Sequence, residues 1–202
     1  MEELTKKRRL GYASGIVTES VMYNMFYTYF ILFLTDVARL APLIAGTVGM
    51  ISVIWDGVTD PMIGHMADKK GRDKRKFILF SIFPMAILFI LAFSTFDMVS
   101  TAKAIYYIAM AMMFWVAYTT YTIPYYALCA QLTDDYDERT KIRGMSSMIN
   151  AGAIFIGAAT PSLLGDALVA AGLSVSAGWQ ISAMVVAAVA IVFAVITYRS
   201  VK

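Results

Sequence analysis

Long apolar stretches separated by short polar clusters run through the whole chain. Lys and Arg are absent between Arg9 and Arg39, between Arg39 and Lys69, and across three later gaps. A helix that crosses the hydrocarbon of a bilayer needs about 20 mostly apolar residues. The gaps therefore predict six spans: Leu10–Thr35, Leu43–Ala67, Phe77–Phe96, Ala104–Leu128, Gly144–Val169 and Gly178–Tyr198.

This pattern predicts an all-α membrane protein, with residues 1–202 forming a single six-helix transmembrane domain. The composition agrees, because 59% of the residues are hydrophobic and only 15% are charged, against about a quarter charged in a soluble domain. The first span is too long for a signal peptide, and Tyr27, Tyr29 and Asp36 do not suit a cleavage site.

The basic residues predict the orientation. Apart from Arg39 and Lys103, they precede span one, lie between spans two and three or four and five, or follow span six. Lys and Arg are enriched in cytoplasmic loops, so both termini are predicted to be cytoplasmic in a multi-pass protein of the plasma (inner) membrane. The net charge of +3 follows from this bias, and a nucleic-acid partner is not expected.

Two carboxylates lie inside the second span, in the stretch Trp55-Asp56-Gly57-Val58-Thr59-Asp60-Pro61. Residues four apart share a helix face, so Asp56 and Asp60 point the same way. Intramembrane charges are expensive and are usually functional. Like charges side by side are costlier still unless a proton or a metal cation lies between them. The alternative is that these acids lie at a helix end in headgroups or water.

The missing positive charge points to a cation site. Glu19, Asp56 and Asp60 are deep in the membrane, and no Lys or Arg is expected at that depth. Na⁺, a hard cation that prefers oxygen ligands, is a candidate metal at the Asp pair, and H⁺ is the other coupling ion. Thr59 and Thr119 could complete the shell, or their hydroxyls could bond back to their own helices. No other cofactor is expected.

A second polar lining is predicted on spans one, four and five. Its members combine aromatic, hydroxyl and amide groups at helical spacing: Glu19, Ser20, Tyr23, Asn24, Tyr27, Thr122, Tyr126, Ser147 and Asn150. Such faces suit a polyol or a sugar ring, and they also suit ordinary hydrogen bonding between helices.

Two further expectations concern chemistry and gating. The single cysteine, Cys129, excludes an internal disulfide; His65 is the only histidine and lies at a helix end, and there is no nucleophile–base pair, so the chain is not expected to be an enzyme. Six charged residues close to one membrane surface are predicted to form a cytoplasmic gate of ion pairs: Asp68, Arg72, Arg75, Asp135, Glu138 and Arg139. The alternative is a purely topological cluster of basic residues.

The segment Ile54–Gly64 resembles the second helix of the glycoside–pentoside–hexuronide cation symporters, the melibiose permease group of the major facilitator superfamily. Gly64–Arg72 resembles the loop after that helix, Tyr118–Tyr126 resembles helix four, and Leu132–Thr140 resembles the loop between helices four and five. The resemblance implies alternating access in a fold of 3+3 inverted repeats, with a cation shell at Asp56, Thr59, Asp60 and Thr119.

The sugar-recognition residues of that group differ here. Its helix-one acid falls at Ser20, its helix-four acid at Thr122, its helix-four tryptophan at Tyr126 and its helix-five arginine at Ser147. Glu19 is one residue from the helix-one position, which is about 100° around the helix. The expected substrate is a small polar solute such as a glycoside. A lysolipid or other amphiphile carrier remains an alternative, and so does a non-transporting subunit or an inactive remnant.

The family has twelve helices, and six are predicted here. Substrate sites of such transporters lie between the two halves. The chain is therefore expected to act as a half-transporter in the lipid bilayer. Its expected partner is a second copy of itself, as a homodimer, a separate second six-helix half, or the remainder of a longer twelve-helix protein.

Overall fold

The computed structural model describes residues 5–68 and 74–201, apart from the side chain of Asp68. The described residues form helices joined by short turns and loops and contain no strand, which confirms the all-α prediction. Eight α-helices follow one another: α1 Lys6–Ala13, α2 Ile16–Leu32, α3 Pro42–Asp68, α4 Lys74–Ala92, α5 Ser100–Leu132, α6 Tyr136–Thr160, α7 Asp166–Ala170 and α8 Val175–Ser200.

Five segments of the described chain are long and apolar enough to cross a membrane: α3, α4, α5, α6 with its continuation into α7, and α8. The predicted first span, Leu10–Thr35, is instead divided among α1, α2 and a π-helical turn at Phe33–Val37. A second π-helical turn, Pro161–Gly165, joins α6 to α7. Pro161 ends the α-helix because its nitrogen carries no hydrogen to donate to the preceding turn.

The break between α1 and α2 has a packing cause that the sequence does not show. Gly15 sits so close to α5 and α8 that a Cβ at this position would lie 2.5 Å from the Tyr125 ring and 2.7 Å from the Thr197 hydroxyl oxygen. Ser14 caps the end of α1 by donating to the Gly11 carbonyl at 2.9 Å. Close helix contact, rather than a polar loop, therefore divides the first span.

Both ends of the described chain lie at the same end of the bundle. The start of α1 contacts α6 through an Arg9–Glu138 ion pair at 2.7 Å. Arg75, at the start of α4, reaches the Val201 carbonyl after α8 at 3.4 Å. At the opposite end, Lys103 donates to the Ala38 carbonyl at 3.1 Å. We call these the terminal end and the far end; that the terminal end faces the cytoplasm stays a prediction.

Aromatic side chains fill the core between α2, α4 and α5. The Phe26 ring stacks on Phe30 at 4.3 Å and on Phe114 at 4.5 Å, and Phe93 meets both α2 phenylalanines edge-on. Cys129 is a buried free thiol in α5. On this core, α3 packs against α5, and α2 packs against α6. These two contacts position the polar side chains of the candidate site.

Candidate cation and solute site

One hydroxyl connects the two carboxylates of α3. Thr119 Oγ1, on α5, lies 2.8 Å from Asp60 Oδ1 and 3.2 Å from Asp56 Oδ1. A threonine hydroxyl carries a single proton, so it donates to one carboxylate at a time. The Thr119 side chain is buried, and both aspartates are half-buried. The arrangement leaves negative charge that a proton or a cation would neutralise.

Thr59 lies beside the pair, but its proton is directed elsewhere. Its hydroxyl donates to the carbonyls of Trp55 and Asp56, each at 3.1 Å, as threonines in membrane helices commonly do. The oxygen keeps its capacity to accept or to ligate. Pro61, within α3, cannot donate to the Gly57 carbonyl, so a further oxygen is available near the pair.

The donor set around Asp56 and Asp60 consists of oxygens. Among the described residues, no group of three or more His, Cys, Asp or Glu side chains could hold a metal. Two carboxylates with hydroxyl and carbonyl oxygens fit a hard monovalent cation or a shared proton better than a transition metal, which prefers nitrogen or sulfur ligands.

Glu19 forms a second polar centre, on α2. Tyr126 of α5 donates to its Oε1 at 2.7 Å. Its other oxygen, Oε2, is shielded from solvent; Tyr118 lies beside the carboxylate, yet Oε2 accepts no hydrogen bond of good geometry from the described residues. The Glu19 carboxylate therefore lies between the hydroxyls of Tyr126 and Tyr118.

The expectation that no Lys or Arg reaches this depth is wrong for Glu19. The Arg143 guanidinium lies 5.0 Å from the centroid of the Tyr126 ring and within electrostatic range of Glu19. The reason is that α6 begins at Tyr136, about two turns before the predicted span, so Arg143 belongs to the helix rather than to a loop. Sequence alone could not show that α5 and α6 bring Tyr126 under this arginine.

An aromatic cluster joins the two centres. The Tyr23 ring stacks on Tyr27 with centroids 5.4 Å apart, meets Trp115 edge-on at 6.0 Å and approaches Tyr118 at 5.9 Å. Tyr23 and Tyr118 each lie within electrostatic range of both Glu19 and Asp56. The cation pair and the Glu19 centre therefore border one continuous surface, which we call the polar face.

Trp115 and Tyr118 were not among the predicted lining residues. Trp115 is buried, and its Nε1 donor has no acceptor among the described residues. A signal was available in the sequence, because Trp115 precedes Thr119, and Tyr118 precedes Thr122, by four residues. That spacing places each pair on one helix face.

Other predicted lining residues serve contacts between or within helices. Ser20 of α2 hydrogen-bonds the Asn150 side chain of α6, and Asn24 donates back to the Ser20 carbonyl at 2.8 Å. Thr122 is buried, with its hydroxyl 3.5 Å from the Thr119 carbonyl. Ser147 is exposed on α6. The ring face of Tyr23 and Tyr27 is thus the more open part of the lining.

The predicted gate is described only in part. Arg72 and the side chain of Asp68 lie outside the described residues, so pairs between the two loops stay a prediction. Glu138 binds Arg9 and, at 3.1 Å, Lys141. Arg139 bonds within its own loop, to the Thr133 carbonyl at 2.8 Å and to Asp134 at 3.5 Å.

Two other predicted gate residues have structural roles at the same end. Asp135 caps α6 by accepting from the Asp137 amide at 2.8 Å. Arg75 contacts the end of α8 through the Val201 carbonyl. Arg9, which precedes the predicted first span, was not included in the predicted gate, although the structure pairs it with Glu138.

The sequence profile of the family described as MFS/sugar transport protein matches residues 11–202. An uncharacterized symporter, sll1374, from Synechocystis is 35% identical over 85% of this chain and 32% of its own length. The putative glycoside/cation symporter YagG of Escherichia coli is 33% identical over 69% and 31%. The sphingosine-1-phosphate transporter MFSD2B of Xenopus tropicalis is 27% identical over 78% and 31%. The chain spans about a third of the length of these relatives.

Proposed function

Because the chain belongs to the MFS/sugar transport protein family and is an integral, multi-pass membrane protein, we propose that it takes part in cation-coupled transport of a small polar solute. The coupling ion is Na⁺ or H⁺, bound between Asp56 and Asp60. The observation that carries the proposal is the single Thr119 hydroxyl within hydrogen-bonding distance of both carboxylates.

The solute would bind on the polar face. Glu19, beside the Tyr118 hydroxyl, has a buried acceptor oxygen, and Trp115 Nε1 is a buried donor; neither has a hydrogen bond of good geometry to the described residues. A hydroxyl group both donates and accepts, so a polyhydroxylated solute matches this pair. The stacked Tyr23 and Tyr27 rings supply an apolar platform for its carbon skeleton. A glycoside is therefore the substrate class that the site supports best, and YagG is named as a glycoside/cation symporter.

Coupling between ion and solute would follow from the shared surface. Tyr23 and Tyr118 are within electrostatic range of both Asp56 and Glu19. A cation that neutralises the aspartates lowers the cost of ordering a solute against these rings. If the bound cation raises the affinity for the solute, the bound solute raises the affinity for the cation by the same factor. Symport requires this kind of coupling.

An amphiphile carrier is the second candidate. It is favoured by the likeness to a relative named as a sphingosine-1-phosphate transporter and by Arg143, whose guanidinium could pair with a phosphate beside Tyr126. A non-transporting membrane subunit is the remaining alternative; such a protein would have no use for a paired carboxylate inside a span. Binding of glycosides and of lysolipids to the same preparation separates the first two.

The test is the thermal stability of the protein in detergent as Na⁺ is added at constant ionic strength, and as pH is lowered without Na⁺. A cation at a hundredfold excess over its Kd stabilises by about 2.7 kcal/mol, which raises the unfolding midpoint by several degrees. We expect Asp56→Asn and Asp60→Asn to remove this cation dependence, while Asp166→Asn, at an exposed acid away from the pair, retains it. Unchanged dependence in both aspartate variants of the pair would refute the proposal.

A further inference from the structure

A deep apolar groove runs along the side of the bundle between α4 and α5. Its volume is about 800 Å³, and Trp55 of α3 closes one side. The α4 wall carries Phe80, Pro84 and Leu88, and the α5 wall carries small and flexible side chains: Ala109, Met112, Met113, Val116 and Ala117. None of the side chains that line the groove belongs to Glu19, to the aspartate pair or to their side-chain hydrogen-bond partners.

The few polar groups in the walls are already satisfied. Ser81 donates to the Ile78 carbonyl at 3.3 Å, and Thr120 to the Val116 carbonyl at 2.7 Å. A polar solute would therefore find no partner inside the groove, and its desolvation would cost several kcal/mol, of the order of 4–8 on a hydrocarbon scale. A hydrocarbon chain has no polar groups, so it enters the groove without this desolvation cost.

One charged side chain lines the groove, and it lies at one end. Lys76 belongs to the first turn of α4, at the terminal end, and is exposed. It makes no ion pair with the described residues, whereas its neighbours Lys74 and Arg75 are engaged. Among the described residues, the groove thus has an ammonium without an ion-pair partner at one end and mainly apolar side chains along the rest of its length.

The length of the groove matches one leaflet of a bilayer. From Lys76 to Leu88 the α4 wall rises about 18 Å, and from Ala109 to Thr120 the α5 wall rises about 16 Å, at 1.5 Å per residue. Half of a hydrocarbon core about 30 Å thick is about 15 Å. A lipid whose headgroup lies at Lys76 would end its acyl chain near Leu88 and Ala109.

We propose that this groove binds an anionic phospholipid, with its phosphate on the Lys76 ammonium and one acyl chain between α4 and α5. On the orientation predicted from the basic residues, the terminal end meets the cytoplasmic leaflet, where anionic lipids attract basic residues by about 1 kcal/mol each. The bound chain would lie against both α4 and α5, with Trp55 of α3 beside it.

Trp55 is a built-in reporter for the test, because its ring lines the groove while Trp115 is buried. Variants with Trp115→Phe and Trp179→Phe retain Trp55 as the single tryptophan. In vesicles, acyl-chain-brominated phosphatidylglycerol should quench Trp55 at a mole fraction about fivefold lower than brominated phosphatidylcholine. Fivefold corresponds to about 1 kcal/mol for one lysine. If the double variant does not fold, the difference between wild type and Trp55→Phe gives the same quantity.

Two matched pairs of variants locate the site. Lys76→Gln should abolish the preference for phosphatidylglycerol, while Arg199→Gln, which removes an exposed charge at the same end outside the groove, should preserve it. Val116→Phe, which fills the groove, should reduce quenching by both lipids, while Val192→Phe, on the exposed face of α8, should not. Equal quenching of wild type by the two lipids, or a preference that survives Lys76→Gln, would overturn the proposal. Cation-dependent stability is read separately, so the two proposals fail independently.

Discussion

At the residue scale, the site depends on which acceptor each threonine hydroxyl donates its proton to. The Thr119 hydroxyl carries one proton and lies 2.8 Å from Asp60 Oδ1 and 3.2 Å from Asp56 Oδ1. The Thr59 hydroxyl donates to backbone carbonyls of its own helix. The four-residue spacing of Asp56 and Asp60 could be predicted from helix geometry alone. The sequence predicts Thr119 as a ligand from its hydroxyl in another apolar span, and the family resemblance agrees, but its distances to the two carboxylates depend on how the helices pack and cannot be read from spacing.

Removing the Thr119 hydroxyl should weaken cation binding. Thr119→Val keeps the shape of the side chain but removes a hydroxyl oxygen that could ligate Na⁺ beside both carboxylates, so the Kd for Na⁺ should rise about tenfold or more. Thr119→Ser retains the hydroxyl and should stay close to wild type. The measurement is the Na⁺ concentration at half-maximal stabilisation.

The neighbouring Thr120 is the matched control, since its hydroxyl bonds the Val116 carbonyl of its own helix. Thr120→Val should leave cation affinity unchanged. An unchanged Kd in Thr119→Val would show that the hydroxyl contributes nothing to the cation shell.

At the element scale, the helices follow the hydrophobic pattern, whereas their breaks follow close packing. The strong apolar runs predict α3, α4, α5 and α8 well enough to place Asp56, Asp60 and Thr119. The division of the first span at Gly15 does not follow from the hydrophobic pattern, and Gly15 lies in close contact with α5 and α8. The early start of α6 has a local signal, the Asp135 cap, but it lies before the apolar run. This early start moved Arg143 toward Glu19 and changed the electrostatics of the site.

The contact of α2 with α6 depends on a glycine. A Cβ at Gly157 would lie 2.6 Å from the Val21 carbonyl oxygen and 3.0 Å from the Val21 Cα, so Gly157→Ala must push the two helices apart. Overpacking of this kind costs about 1–3 kcal/mol. We expect a lower unfolding temperature and weaker contact between Ser20 and Asn150.

Gly152, on the same helix, gives the comparison, because a Cβ there meets nothing within 4 Å. Gly152→Ala should be neutral or slightly stabilising, since alanine favours a helix by about 1 kcal/mol over glycine. Equal stability of the two alanine variants would contradict the close α2–α6 contact.

At the scale of the whole molecule, the polar face needs a cover. Tyr27 is 70% exposed and Tyr23 is 37% exposed, next to Glu19 and the aspartate pair. Leaving hydrogen-bonding groups against hydrocarbon is costly, and transporters of this class place the substrate site between two halves. We infer that further transmembrane helices cover this face, supplied by a second copy, by a separate half or by the remainder of a longer protein.

Crosslinking should detect the helices that cover the polar face. With Cys129 replaced by alanine, Tyr27→Cys should crosslink to another six-helix unit in native membranes, and the mass of the product distinguishes a second copy from a separate half. Val192→Cys, on the outer face of α8, is the control and should not crosslink. A monomeric six-helix protein that binds Na⁺ with Tyr27→Cys freely reactive would contradict a shared cavity.

The central claim is that Asp56 and Asp60 form one site that holds either a proton or a cation. Infrared difference spectroscopy of the protein in lipid vesicles measures this directly, through the band of a protonated carboxyl group. The account predicts such a band at low pH that disappears when pH is raised or Na⁺ is added, is lost or shifted in Asp56→Asn and Asp60→Asn, and persists in Asp166→Asn. A wild-type spectrum without a cation-sensitive carboxyl band, or one that both variants of the pair reproduce, would contradict it.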